Sequence, residues 1–291
     1  MINDILCIGE VLIDGISTEV TSDLEHANSL EIVVGGSVAN FNHYLNKLGV
    51  SATLVASIGN DGFGKKIIET LKTRNVNIDH INILNEHNTS FIAVSKTPET
   101  PDFIAYRDAD RIIEKVDEGL IAHAKLVHST AFSLSQLPAS KTILDTFEKA
   151  HQLNKLISID WNYAPSIWKN KAYANEIFKT IQKYKLLLKL SIDDISRFLD
   201  KQVTEQQAMD FLNDVSATCV CLTCGSKGVY FKSEGKEWNF SPAKKIEIKN
   251  ATGAGDSFWA GFIAHYLQTS NIEISINNGI ETASLKLQNL L

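Results

Sequence analysis

Apolar residues along this chain fall into two alternating rhythms. Short, nearly continuous apolar runs read as buried strands: ILCIGEVLI from Ile5, ATLVASIG from Ala52, LVHSTAF from Leu126, LISIDWN from Leu156, LLLKLS from Leu186 and TCVCLT from Thr218. Between them lie longer segments with apolar residues at helical spacing. SVANFNHYLNKLG is one, with Val38, Phe41, Leu45 and Leu48 on one face and Gly49 as a stop. GFGKKIIETLKTRNV, LPASKTILDTFEKAHQLN and DSFWAGFIAHYLQ behave likewise. Strand–helix alternation of this kind predicts an α/β protein whose mostly parallel sheet is covered on both faces. Ligand-binding loops then belong at the carboxyl ends of the strands.

Two regions break the rhythm. Residues 11–36 and 88–107 hold short alternating strands and no long helix. They read as antiparallel ribbons forming an add-on sheet, placed to serve as a lid. KTPETPD, polar and with two prolines, reads as the turn between the strands SFIAVS and DFIAY.

Composition narrows the function classes. The chain has 291 residues, 44% hydrophobic and 21% charged, which is ordinary for a globular protein of one large or two small domains. A net charge of −6 gives no footprint for nucleic acid or an anionic membrane. No apolar run approaches the roughly 18 residues that span a bilayer. The start, with Asp4 and Glu10 and no basic stretch, does not read as a signal peptide, so a cytoplasmic protein is expected. Cys219, Cys221 and Cys224 cluster, but a closed zinc site needs four ligands and no histidine is near in sequence. Cys219 and Cys221 alternate with Val220 and Leu222 as small hydrophobes of a buried strand do.

The chemistry concentrates in KNATGAGDSFWAGF, Lys249 to Phe262. Here a strand, KKIEIKN, is expected to give way to a helix starting near Gly255. A helix N-terminus offers unpaired N–H groups and partial positive charge, and small residues let a ligand approach them, which suits an anion. Asp256 fits two roles: an acid favoured in a first helical turn, or a base that takes a proton from a hydroxyl attacking a phosphoryl group. No Walker A string occurs, and no dinucleotide fingerprint follows the first strand. GNDGFG at Gly59 to Gly64 reads as a strand-to-helix turn.

These residues resemble the ribokinase-like, or PfkB, family of carbohydrate kinases. TGAGDSFWAGF is similar to the family's second signature, and GGSVANFNHYLNKLG, Gly35 to Gly49, to its first. IGNDGFGKKI resembles the strand–turn–helix that follows, and LTCGSKGVYF the Thr-x-Gly-x-x-Gly nucleotide segment. The motifs keep the family's order over nearly the whole chain. The resemblance implies one Rossmann-like three-layer α/β/α domain over 1–291, with a small β-sheet lid. It also implies ATP-dependent phosphorylation of a sugar hydroxyl, with Mg2+ bridging ATP phosphates rather than bound directly by side chains. Asp256 would be the base, and the N–H groups of Gly253, Ala254 and Gly255 the anion hole. Asp14, Gly35, Gly36 and Asn40 match the sugar contacts, and Arg107, in YRDAD, a fructokinase-type arginine reaching the substrate from the lid. Ser191 and Asp194 match the Asn-x-x-Glu position that helps hold magnesium through water. Thr223, Gly225, Gly228 and Thr252 would lie on the nucleotide side.

Three departures stand out. Asn250 replaces an aspartate that helps ribokinase-like members hold a monovalent cation, which predicts weak potassium dependence. In DWNYAPSIW, Asp160, Asn162 and Trp168 keep a fructokinase pattern, but Ala164 stands at its arginine, so a cation near the phosphates or a neighbouring acid is expected to be absent. The chain also stops at ASLKLQNLL, before a last loop common in the family. A fructokinase-like kinase is therefore the leading expectation. A catalytically weak sugar- or nucleotide-binding regulator, or a kinase for ribose, a keto-deoxy sugar acid or a nucleoside, are the alternatives. A homodimer through the lid edges is a further expectation.

Overall fold

In a computed structural model, which describes residues 4–97 and 102–291, strands and helices alternate nearly throughout. The first part runs β1 (Ile5–Ile8), β2 (Leu12–Val20), β3 (Leu30–Gly35), α1 (Ser37–Lys47), β4 (Ala52–Gly59), α2 (Gly62–Thr73), β5 (Ile81–Leu84), β6 (Phe91–Lys96) and β7 (Phe103–Tyr106). The middle runs α3 (Glu118–His123), β8 (Leu126–Thr130), α4 (Ala131–Leu134), α5 (Ala139–Gln152), β9 (Leu156–Asp160), α6 (Lys171–Ile181), β10 (Leu186–Ser191), α7 (Ile192–Phe198) and α8 (Glu205–Leu212). The last part runs β11 (Cys219–Thr223), β12 (Gly228–Ser233), β13 (Asn239–Pro242), α9 (Ala254–Thr269) and α10 (Ile272–Leu287).

The large sheet has the order β13-β12-β11-β10-β9-β8-β1-β4-β5. It is parallel except at one end, where β12 runs antiparallel to both β11 and β13. Alternate residues of each central strand feed two separate cores. Leu6 and Ile8 enter one, and Ile5 and Cys7 the other. Val220 and Leu222 likewise oppose Cys219 and Cys221, so these cysteines are packing residues of the second core. Helices α5, α6, α7 and α8 cover the first face, through Phe147, Phe178, Phe198 and Leu212. Helices α1, α2, α9 and α10 cover the second, through Phe41, Leu71, Phe262 and Ile280. This is the predicted three-layer arrangement. Helix α9 is buried on nearly every side, from Ser257 to Ala264, which is why its sequence is apolar all round.

The lid is a separate sheet of order β3-β2-β6-β7. Each region supplies an antiparallel ribbon, as expected, but the ribbons join through a parallel pairing of β2 with β6. Most of the expected turn KTPETPD, residues 98–101, lies outside the described residues. Two further expectations are corrected. ILCIGEVLI is two strands, not one: β1 ends at Ile8 and the chain crosses at Gly9 to Val11 into the lid strand β2. KKIEIKN forms no strand. Its alternate Ile246 and Ile248 face a cavity instead of a sheet partner.

Two polar ties fix the lid-bearing segments to the main body. Asp61 caps α2, accepting from Gly64 N at 2.8 Å, and also accepts Thr89 N at 2.7 Å. GNDGFG is thus the strand-to-helix turn that its spacing suggested. Asn162 joins two helix starts, accepting Phe132 N at 3.1 Å and donating to Ser37 Oγ at 3.0 Å.

Candidate active site

The loop before α9 ends in Gly253, whose φ of +76° is a left-handed conformation that a side chain would strain. This turn opens α9, with Asp256 in the first helical turn, and the Ala254 N–H donates back to Ala251 O at 3.2 Å. Asp256 keeps part of its surface accessible. Its Oδ2 accepts from Asn40 Nδ2 at 3.0 Å, which joins α9 to α1. Burial, followed by the like charge of Asp160, lifts its pKa from 3.8 to about 7, while Lys189 and the Asn40 hydrogen bond act the other way. A carboxylate poised near neutral pH suits a general base.

Asn40 lies where Gly36 starts α1. Gly36 has φ +102°, and a Cβ there would strike the Glu10 carbonyl. With no side chain at this cap, the buried Glu10 serves instead: its Oε1 accepts from Val38 N at 3.3 Å. Its Oε2 accepts from Thr130 Oγ1 at 2.9 Å and from Ser133 Oγ. Asp14, on β2, lies against Gly35, whose missing Cβ leaves room for the carboxylate. Burial, and then the charge of Glu10, push Asp14 up to about 7. No hydrogen bond from the described residues reaches the Asp14 carboxylate, which remains partly exposed and free to meet a ligand. Asp14, Gly35, Gly36, Asn40 and Asp256 thus form one continuous wall between lid and main sheet.

Arg107, expected to reach the substrate, here has its side-chain partners within the protein. Its side chain is 2% exposed and turned inward. Nε and Nη2 donate to Asp110 Oδ2 at 2.8 and 2.5 Å, and Nη1 to Phe132 O at 3.0 Å and Ser135 Oγ at 2.5 Å. It also stacks over the Phe132 ring. Asp110, three residues on and fully buried, holds the guanidinium that a solvated lid would have left free.

On the other side of the loop lies a cavity of about 700 Å³. Ser191, Asp194, Thr223, Gly225 and Gly228 line its polar end together with Ala254 and Gly255, whereas Phe258, Ile280 and Leu287 line an apolar part. That volume and mixture fit a small organic ligand with an anionic end. Thr252 is exposed and lies outside this lining, its N–H donated to Asn250 Oδ1 at 2.9 Å. Ser191 and Asp194 form a capping box on α7: Asp194 N donates to Ser191 Oγ at 3.0 Å, and Asp194 Oδ2 accepts Ser191 N at 2.8 Å. Burial raises the Asp194 pKa to about 6.

Sequence reasoning missed Lys189. It lines the cavity and is only 6% exposed, and its Nζ lies 2.7 Å from Asp160 Oδ2. A Cβ on Gly255 would fall 3.1 Å from that Nζ, so the ammonium sits against the start of α9. Burial works against its charge, yet the carboxylates of Asp160, Asp194 and Asp256 hold its pKa above the usual lysine value. The available signal was a lysine inside an otherwise apolar strand, LLLKLS. The cation expected to be absent at Ala164 is also present, from another element. Arg197 Nη1 donates to Tyr163 O at 3.1 Å and to Asp194 Oδ1 at 3.3 Å.

A mostly parallel sheet with a glycine turn opening a buried helix, an acid in that helix's first turn and a cavity beside the turn is an arrangement of ligand-binding α/β proteins. The model of the pfkB family carbohydrate kinases matches residues 2–290, and the chain belongs to that family. It is a sugar kinase, a phosphotransferase acting on an alcohol group. It is 32% identical over 287 residues to the ATP-dependent 6-phosphofructokinase of Thermoanaerobacterium thermosaccharolyticum, covering 98% of this chain and 88% of that protein. It is 27% identical over 271 residues to the 2-dehydro-3-deoxygluconokinase of Thermoproteus tenax, covering 90% and 82%. The solved fructokinase of Halothermothrix orenii superposes with a TM-score of 0.84 at 28% identity, covering 96% of this chain and 98% of that one.

Proposed function

We propose that this chain transfers the γ-phosphoryl group of ATP to a hydroxyl of a fructose-type sugar, with Asp256 as general base. The observation that carries this reading is the place of Asp256. It stands at the junction of the Asp14–Asn40 wall and the 700 Å³ cavity, at the start of an N–H-rich helix. The sugar hydroxyl loses its proton to Asp256 as its oxygen bonds to the γ-phosphorus. The bond from that phosphorus to the β-phosphate oxygen breaks, and ADP leaves with the electron pair. The N–H groups of Gly253 and Gly255 hold the oxygens of the group in transit, whereas Ala254 N, which donates to Ala251 O at 3.2 Å, joins them only by leaving that carbonyl. Lys189 adds a positive charge beneath them.

The cavity fits ATP, with its apolar part for the base and the Lys189, Ser191 and Asp194 end for phosphates. Mg2+ held at that end would supply positive charge against the charge developing on the phosphates. Ser191 and Asp194 would hold its water shell, and Arg197 keeps Asp194 in place. Arg107 becomes a positioning residue that fixes the Phe132–Ser135 segment beside the sugar wall.

The 32% identical relative is named a 6-phosphofructokinase, which favours fructose 6-phosphate as a second acceptor to be tested. The experiment is an ATP-consumption screen with Mg2+ over fructose, fructose 6-phosphate, 2-keto-3-deoxygluconate, ribose and adenosine. Turnover is expected with a fructose-type acceptor, and Asp256→Asn is expected to lower kcat by about 10²-fold or more. Absence of turnover on every acceptor supports a binding protein instead, and near-normal kcat in the variant removes Asp256 as base.

A further inference from the structure

The anion-hole loop is held from behind by the last turn of α10. Leu287 O accepts from Lys249 N at 2.9 Å and from Asn250 N at 3.3 Å. One residue earlier, Lys286 Nζ donates to Asn250 O at 3.2 Å. Asn250 Oδ1 in turn accepts Thr252 N at 2.9 Å, one residue before Gly253. A chain of contacts therefore runs from an ammonium, through Asn250, to the first anion-hole glycine. Burial lowers the Lys286 pKa and the charge of Asp256 opposes that, so the ammonium also feels the catalytic carboxylate.

A free monovalent cation does not fit behind this loop. It would need carbonyl lone pairs and a compensating negative charge. Asn250 offers a neutral amide whose oxygen is engaged by Thr252, and a carbonyl already bound to an ammonium. A second positive charge at hydrogen-bonding range would be repelled. An ammonium and a potassium ion have the same charge and similar size, and both bind carbonyl oxygens.

We propose that Lys286 is a tethered cation: its ammonium occupies the place behind the anion-hole loop that a bound monovalent ion would otherwise take. It acts as a positioning residue. It holds the Asn250 carbonyl and adds fixed positive charge beside the loop that leads to Gly253. The reasoning rests on the kinase function proposed above.

The test compares wild type, Lys286→Met and the Asn250→Asp/Lys286→Met double variant in tetramethylammonium and in potassium buffers of equal ionic strength. Wild-type kcat is expected to differ by less than about twofold between the buffers. Lys286→Met is expected to lose about tenfold in kcat in tetramethylammonium, with both KM values nearly unchanged, and the double variant, which supplies the negative charge that a free ion needs, to recover most of it with K+ or NH4+. K+ is expected to raise the melting temperature of the double variant and not that of wild type. Strong K+ activation of wild type overturns the proposal. So does a Lys286→Met variant with full activity, or a double variant whose loss no monovalent cation restores. Should Lys286→Met fail to fold, Asn250→Asp alone decides: with Lys286 in place it must stay insensitive to K+. Should no acceptor be phosphorylated, the functional reading fails, and the melting-temperature comparison still decides the cation question.

Discussion

Asp256 and Lys189 are chemically simple residues whose behaviour depends on their surroundings. Lys189 faces Asp160 directly and carries a positive charge that lowers the Asp256 pKa, while Asp160 and Glu10 raise it. Removing that charge while leaving the acids lets the Asp256 pKa climb further. In Lys189→Met the acid limb of the kcat–pH profile is therefore expected to move to higher pH, by about one unit or more. Lys189→Arg, which keeps the charge, is expected to move it less. The same Met variant strands Asp160, whose Oδ1 already has no hydrogen-bond partner among the described residues. A stability loss of about 3–5 kcal/mol is expected, and Asp160→Asn in the same chain should recover much of it. An unmoved pH profile in Lys189→Met would remove Lys189 from the electrostatics of the base. At this scale the sequence showed Asp256, Asp14 and Asn40 through their motifs. It hid Lys189, because a lysine in a strand is ordinarily edge or surface and only its neighbours make it a buried counter-charge.

Helix α9 links the chemistry to the core. Its first turn carries Asp256 and follows Gly253, and the rest of it is buried, with Trp259 stacked on Phe262 at 4.6 Å between ring centroids. Phe262 has no exposed surface. Phe262→Ala is expected to destabilise the protein by about 3–5 kcal/mol, measured by urea unfolding, since the cavity left in a helix packed on all sides cannot collapse. A loss under about 1 kcal/mol would mean that the surrounding helices relax into the space. Helices α6, α8 and α10 were not singled out, whereas α1, α2, α5 and α9 were legible from their spacing, including the stop of α1 near Gly49. The apolar segment IEIK was not, because an alternating pattern reports a surface to be covered and not the partner that covers it. In this chain the partner is a ligand cavity.

For the whole molecule, the lid has its own sheet but not an independent attachment. Asp61 ties α2 to Thr89 at the start of β6, Asn162 ties α1 to the Phe132 segment, and Arg107 anchors the end of β7 into the main body. We expect residues 1–291 to unfold as one domain, with coincident denaturant transitions by far-UV circular dichroism and tryptophan fluorescence. An earlier, separate loss of strand signal would identify an independently unfolding lid. Among the described residues no helix is long and apolar enough to cross a membrane. The sequence by itself determined the three-layer sheet, the glycine turn before a buried helix and the acid at its start, because each is set by local periodicity or by backbone conformation. Only the tertiary structure decided the rest. It split ILCIGEVLI between two sheets, turned Arg107 inward onto Asp110, set Arg197 against Asp194, and brought Lys189 against Gly255 and Lys286 to Asn250. Charges act across space, and their partners here lie up to 216 residues away along the chain, as in the Asn40–Asp256 bond.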